Sequence, residues 1–303
     1  MIQKRLLNSY FYSISCRNPR ASMQALRSYC KIMTGLLLIG SMNIAVANPW
    51  PAQSHPSDSP PHAIGQVGNG CIAGAERLTA DGTGYRIMNA HRNRYYGHPH
   101  LIRVLQDIGV FVHQRGYGRL QIGDMSQPRG GPMPSGHRSH QNGLDADVWF
   151  ELETPHRQLH KAGREYAHSG APSMLTRDRD GLDLDLWSDS HREILKKAAS
   201  IPQVDRIFVN PHIKLDLCRH AQGPRAWLQK IRPWYGHNEH FHLRITCPSG
   251  SSLCEQQDSL PAGDGCDDEA LDWWLQQPLP PSAPQPVPEK NMPAECRSLL
   301  YAN

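Results

Sequence analysis

Residues 240–245 read His-Phe-His-Leu-Arg-Ile, and the alternation in that stretch decides the architecture. Phe241, Leu243 and Ile245 fall on one side of an extended chain, while His240, His242 and Arg244 fall on the other, the period-two pattern of a strand with one face in a core. Residues 144–150 repeat the arrangement earlier in the chain, with Leu144, Ala146 and Val148 on one face and Asp145 and Asp147 on the other. Two strands with apolar backs and titratable fronts predict a sheet that shows ionisable groups to a cleft.

The elements around these strands are short and mixed. Leu101, Val104, Leu105, Ile108 and Phe111 recur at helical spacing, and Gly116 and Gly118 mark the exit from that helix. Residues 119–123 read as a strand, followed by a Gly/Pro-rich loop over 127–136. Further on, 191–200 reads as a helix, 206–209 as a buried strand and 225–231 as another helix. Helices interleaved with hairpin-like strands predict an α+β fold: a small antiparallel sheet with flanking helices.

The ends bound what the chain does. Residues 1–47 carry Lys4, Arg5, Arg17, Arg20, Arg27 and Lys31 with no acidic residue, then an apolar run over 32–40 and a small-x-small Ala45-Val46-Ala47. That is the pattern of a cleaved export signal rather than a membrane span, and the long segment before it places the start at Met23 or Met33. Without those six basic residues the formal charge of +4 becomes −2, which gives no footprint for nucleic acid and leaves no stable membrane anchor. Cys71, Cys218, Cys247, Cys254, Cys266 and Cys296 remain, an even set that in an exported chain reads as disulfides, with fifteen pairings open. The expected organisation is a signal over 1–47, a flexible Pro/Ser/His-rich leader over 48–64, one domain over 65–275 and a Pro-rich tail over 276–303 tethered by Cys296.

Chemistry concentrates in two histidine clusters. His137 and His140 lie in SGHRSHQNGLDADVWF (135–150), just before the carboxylate-bearing strand, and His237, His240 and His242 lie in HNEHFHLRITCP (237–248). A catalytic zinc takes three protein N/O ligands at about 2.0–2.2 Å and keeps a fourth position open. One loop delivering His140 into a strand presenting Asp147, beside a second strand presenting His242, supplies such a set. Glu239 falls by alternation on the apolar side and is not taken as a base, and the HExxH motif is absent. Asp145 shares a face with Asp147 and is placed to orient a ligand imidazole.

These two motifs, with RIFVNPHIKLDLC (206–218) and IRPWYGH (231–237), resemble those of the penicillin-insensitive murein endopeptidases, relatives of the lysostaphin-type, D-Ala-D-Ala and hedgehog domains. The resemblance implies a periplasmic, zinc-dependent endopeptidase that cuts the D-alanyl to meso-diaminopimelyl cross-link between peptidoglycan stem peptides. It implies His140, Asp147 and His242 as zinc ligands, His137 as a further group at the metal, and His240 as an unliganded group close to the metal water; imidazole being matched to neutral pH, His240 or His237 can then act as general base. It also implies a second metal near 178–183, where this chain offers Asp180 and Asp183; carboxylates there favour harder cations than zinc, and an Asp-Gly turn is the plainer reading. The disulfides it implies are Cys71 with Cys296, Cys218 with Cys266, and Cys247 with Cys254.

Two other readings stand beside this one. A D,D-carboxypeptidase or dipeptidase would need a cation at the closed end of the cleft, and Arg138 and Arg244 are the candidates. A non-catalytic, zinc-stabilised wall-binding domain would keep the metal without turnover.

Overall fold

A computed structural model describes residues 48–134, 137–154, 171–277 and 291–302. In chain order the strands are β1 (His62–Gln66), β2 (Asn69–Ala73), β3 (Glu76–Arg77), β4 (Asp81–Gly82), β5 (Tyr85–Ile87), β6 (Tyr96–Gly97), β7 (Arg119–Ile122), β8 (Asp145–Glu153), β9 (Val204–Val209), β10 (Ile231–Pro233) and β11 (His240–Ile245). The helices are α1 (Pro99–Gln114), α2 (Asp189–Ser200), α3 (Pro211–His220), α4 (Asp268–Gln276) and α5 (Ala294–Leu300). Seven strands form one sheet in the order β10-β9-β11-β8-β7-β5-β4. Its middle, β9-β11-β8-β7, is antiparallel throughout, and the parallel pairs β10/β9 and β5/β7 extend it on either side. The α+β reading holds, and the antiparallel core it anticipated is the part that carries the site.

The apolar stripe of each element explains where it lies. Leu101, Val104, Leu105 and Ile108 of α1 are buried together with Ile102 and Val112, as are Ile194, Leu195 and Ala198 of α2. They share one core with Ala146, Val148 and Phe150 of β8 and Phe241, Leu243 and Ile245 of β11. Helix α1 starts cleanly because Pro99 needs no amide partner at the first position and His98 Nδ1 accepts from the His100 amide at 3.2 Å. At α2, His191 Nδ1 accepts from the Ser188 amide at 3.0 Å, and its Nε2 then donates to the Phe150 carbonyl at 2.8 Å. One imidazole thereby ties a helix start to the sheet. Residues 226–230, expected inside a helix, form a 3-10 turn.

The stretch 48–64, expected as a flexible leader, is folded onto the body instead. Trp50 is only 1 % exposed, packed with Ile64, Cys71, Met292 and Cys296, and Asn48 Nδ2 donates to the Pro132 carbonyl at 2.8 Å. An indole buries more apolar area than a short Pro/Ser-rich segment suggests, and that area holds the segment down. The end of the chain is similarly docked. Arg129 Nη1 donates to the carbonyls of Leu299 and Leu300 at 2.9 and 3.3 Å, satisfying the last turn of α5. The segment 1–47, expected as an export signal, and the proline run over 278–290 lie outside the described residues.

Three disulfides staple these parts: Cys71–Cys296, Cys218–Cys266 and Cys247–Cys254, with Cα separations of 5.6, 5.6 and 5.8 Å. Among the described residues no helix is long and apolar enough to cross a membrane.

Candidate metal centre

The antiparallel register of β8 and β11 sets His242 directly opposite Asp147 and Arg244 opposite Asp145. Both faces of these strands are covered, so the titratable face is buried too: Asp145 is 0 %, Asp147 4 % and His242 6 % exposed. Loop 137–143 covers it and inserts His140, which is itself 0 % exposed. The insertion requires left-handed backbone at His140, with φ of 67°, and at Gly143, with φ of 75°. A Cβ on Gly143 would lie 2.4 Å from Ile72 Cδ1, so glycine is needed there both for its conformation and for the close approach. A non-glycine residue held at positive φ beside buried carboxylates is strain of the kind that collects at functional sites.

The side chains converge on one oxygen. Asp147 Oδ1 lies 3.1 Å from His242 Nδ1, 3.4 Å from His140 Nε2 and 3.6 Å from His240 Nε2. Asp147 Oδ2 lies 3.5 Å from His137 Nδ1. The His140 ring centroid sits 4.6 Å from that of His137 and 4.6 Å from that of His242. His237 is further off, its centroid 5.1 Å from that of His240 and 6.0 Å from that of His242. Asp147 Oδ1 and both ring nitrogens of His140 are buried without a hydrogen-bond partner. Buried polar atoms left unpaired cost about 1–3 kcal/mol each, and two imidazoles with a carboxylate are the nitrogen and oxygen donors that a divalent cation such as zinc accepts. The residues therefore fit a metal ion. Among the described residues, two sets of three donors lie close enough to hold one, His137 with His140 and Asp147, and His140 with Asp145 and His242.

Asp145 is the less available of the two carboxylates, because it already anchors the rest. Its oxygens accept from Arg244 Nε and Nη2 at 2.7 and 2.8 Å, from the His140 amide at 3.2 Å, and lie 3.1 Å from His242 Nε2. It thereby holds the loop that brings His140 and orients the ring of His242, leaving Nδ1 aimed at Asp147. Arg244 is fully engaged, since Nη1 also donates to Gln257 Oε1 at 2.5 Å. It is not free to grip a substrate carboxylate, which corrects the expectation from sequence; Arg138 is exposed.

Electrostatics follow from this crowding. Burial resists ionisation of Asp147, but the imidazoles of His140, His240 and His137 override it and hold the carboxyl well below its usual range. Asp145 is likewise held well below its usual range, against its burial, by Arg244 and His242. Burial would pull His242 down, and Asp145 and Asp147 instead push it up to about 9. Burial dominates at His140 and His240, which are lowered, and at His237, lowered to about 3.

Asp124 is a site residue that sequence reading missed. It follows β7, and its carbonyl accepts from the Asp147 amide at 3.0 Å. Its Oδ2 takes His137 Nε2 at 3.0 Å, Arg94 Nη1 at 2.9 Å and Arg92 Nη1 at 3.2 Å. Burial is outweighed by His137 and the two arginines, and the carboxyl falls to about 2. His137 thus stands between two carboxylates, backed by Asp124 as His242 is by Asp145. A lone aspartate after a predicted strand was the only signal available. Glu239 is exposed and precedes β11, so the strand alternation that set it on the apolar side does not reach it. Its carbonyl accepts from the Phe150 amide at 3.0 Å.

Asp180 and Asp183 stand apart from both donor sets. Segment 174–183 is a turn, with Leu175 bridged to Leu182. Asp180 is exposed and accepts from Thr176 Oγ1 at 2.7 Å, and Asp183 Oδ1 accepts from the Asp185 amide at 3.0 Å.

Residues 63–301 match the family model described as penicillin-insensitive murein endopeptidase. A protein of that name from Haemophilus influenzae is 41 % identical over 267 residues, covering 86 % of this chain and 91 % of the relative. Another, from Klebsiella pneumoniae, is 40 % identical over 267 residues, covering 88 % of this chain and 95 % of the relative.

Proposed function

Since the chain belongs to the penicillin-insensitive murein endopeptidase family and is a peptidase that acts on murein, we propose that it is a zinc enzyme cutting the D-alanyl to meso-diaminopimelyl cross-link. The observation that carries the zinc assignment is the buried, unpaired Asp147 Oδ1 ringed by His140 and His242. These three residues would hold the ion. His137 would join them through Nδ1, since Asp124 takes its Nε2. When bound, zinc supplies Lewis acidity toward the scissile carbonyl and brings water toward a pKa near ~7.

The remaining steps belong to side chains. His240 is neutral at physiological pH because burial lowers its pKa, and its Nε2 faces Asp147 Oδ1 at 3.6 Å. It accepts a proton from the attacking water and returns it to the leaving amine of diaminopimelate. His237 suits this role less well: at about 3 it is a weak base, and its Nδ1 is committed to the Tyr235 carbonyl at 2.7 Å. Its part is to buttress the ring of His240. Asp145 positions His242 and the backbone of His140. No serine nucleophile is invoked, in keeping with insensitivity to a drug that acylates serine.

The murein substrate and the disulfides agree with work outside the cytoplasm, and we place the enzyme in the periplasm, with 1–47 as its export signal. Asp180 and Asp183 remain a proposed site for a second, harder cation. Purified enzyme should convert cross-linked muropeptide dimers to monomers, stop with a chelator and recover with zinc. Cleavage that persists after complete zinc removal would overturn the assignment.

A further inference from the structure

Phe208 on β9 joins the metal centre to the surface. Its ring centroid lies 5.6 Å from that of His242 and 6.1 Å from that of His237 on one side, and 5.8 Å from that of Trp234 on the other. From Trp234 the ring contacts continue to Trp274 at 5.7 Å. Trp274 in turn meets Tyr235 at 5.3 Å and Trp273 at 5.0 Å. Trp234 is 48 % exposed and Trp273 52 % exposed. Two indoles thus face solvent at the far end of an aromatic run that begins at a metal-site histidine.

The helix that carries Trp273 and Trp274 is anchored more firmly than its own packing provides. Leu271 is the buried residue of the nine in α4, and a helix so short needs tertiary support. The support is covalent and ionic. Cys266, immediately before the N-cap Asp267, is bonded to Cys218 on α3. The Asp264 carbonyl accepts from the buried Lys214 Nζ at 2.6 Å, and the Asp264 carboxylate pairs with Arg225 at 2.7 Å. Holding exposed rings in a fixed arrangement lowers the cost of ordering them on a ligand.

Charge selects the occupant. Asp267 at the N-cap and Asp268, Glu269 and Asp272 within α4 are exposed on the helix that carries Trp273 and Trp274, so that helix repels an acidic membrane or nucleic acid. An uncharged ligand with polarised C–H groups suits the negative face of an indole. Murein carries such a ligand covalently joined to the peptides being cut, its chain of N-acetylated pyranose rings. We infer that Trp234, Tyr235, Trp273 and Trp274 form a stacking platform for the murein glycan strand, holding it while the cross-link lies at the metal centre. The inference rests on murein as the substrate.

The test compares two substrates and one binding probe. Turnover is measured on glycan-borne cross-linked dimers and on the same dimers freed of sugar, and a strand probe of uncharged N-acetylglucosamine oligomers, which lack the lactyl carboxylate that peptide removal would expose, is titrated against tryptophan fluorescence. Trp273→Ala and Trp273→Leu should lower the ratio of glycan-borne to sugar-free turnover about tenfold, through KM, and weaken strand binding by a similar factor. Trp273→Phe should restore most of both. A ratio that stays at the wild-type value, equal losses on the two substrates, or a strand probe that binds wild type and Trp273→Ala alike would each overturn the platform. The strand titration needs no cleavage, so it decides the inference even if the proposed zinc chemistry fails.

Discussion

At the residue scale the proposed mechanism separates atoms that hold the metal from an atom that transfers a proton. His240 Nε2 lies 3.6 Å from Asp147 Oδ1, the oxygen around which the proposed ligands gather. Replacing it with alanine should leave zinc content at the wild-type stoichiometry and lower kcat on muropeptide dimers by about 10²–10⁴. A variant within tenfold of wild type would remove His240 from the mechanism, and a variant without metal would make it a ligand. Asp145 presents the opposite case, because it touches three positioning groups and stands behind the centre. Asp145→Asn should weaken zinc binding about 10–100-fold, measured by competition with a chromogenic chelator; unchanged affinity would show that His242 and the loop of His140 are held by other means. Alternation made Asp145, Asp147 and His242 legible, since each shares its strand with an apolar back. Asp124 was not legible, because its meaning depends on His137, Arg92 and Arg94 reaching it from other segments.

Elements were legible to the extent that they repeat a period. Helix α1 offers four turns of apolar spacing, and β11 alternates without a break. Strands β3, β4 and β6 are two residues long, too short for any period, and α3 places Lys214 among its buried positions, which blurs the stripe that would announce it. The start of α1 gives an element-level prediction. His98 Nδ1 can accept from the His100 amide only while the ring is neutral, and burial, aided by the nearby His100 and Arg103, lowers its pKa to about 4. Between that value and the ordinary 6.5 the unfolded chain binds more protons than the folded one, so stability rises with pH across this window and is lost as pH falls through it. The loss from this group is at most roughly 3 kcal/mol. Asparagine caps helices well and does not titrate. His98→Asn should therefore lose less stability than wild type between pH 7 and pH 4 in chemical denaturation, and equal losses would show that His98 does not control the pH response of α1.

For the whole molecule, the ends are the part that pattern alone left open. A stretch dominated by Pro, Ser and His reads as a leader because nothing in it repeats, but Trp50 needs no repeat to bury itself beside Cys71 and Cys296. The cysteine count indicated disulfides, and pairing required either the resemblance or the fold. Once paired, the bridges differ in what they constrain: Cys71–Cys296 spans 225 residues, and Cys247–Cys254 spans 7. In the chain-entropy account the stabilisation grows with the logarithm of the closed loop, giving about 5 kcal/mol for the first and about 2 kcal/mol for the second. The long bridge also covers Trp50 and backs the α5 turn that Arg129 caps, so its removal frees both ends at once. Replacing Cys71 and Cys296 together by serine should cost roughly 3 kcal/mol more than replacing Cys247 and Cys254, and should expose residues 291–302 to limited proteolysis while the metal centre, built on β8 and β11, retains its zinc. Equal or reversed costs would place the staple's contribution in native contacts rather than in the unfolded chain. Loss of zinc along with the tail would show that the docked ends, and not the central strands alone, keep the site assembled.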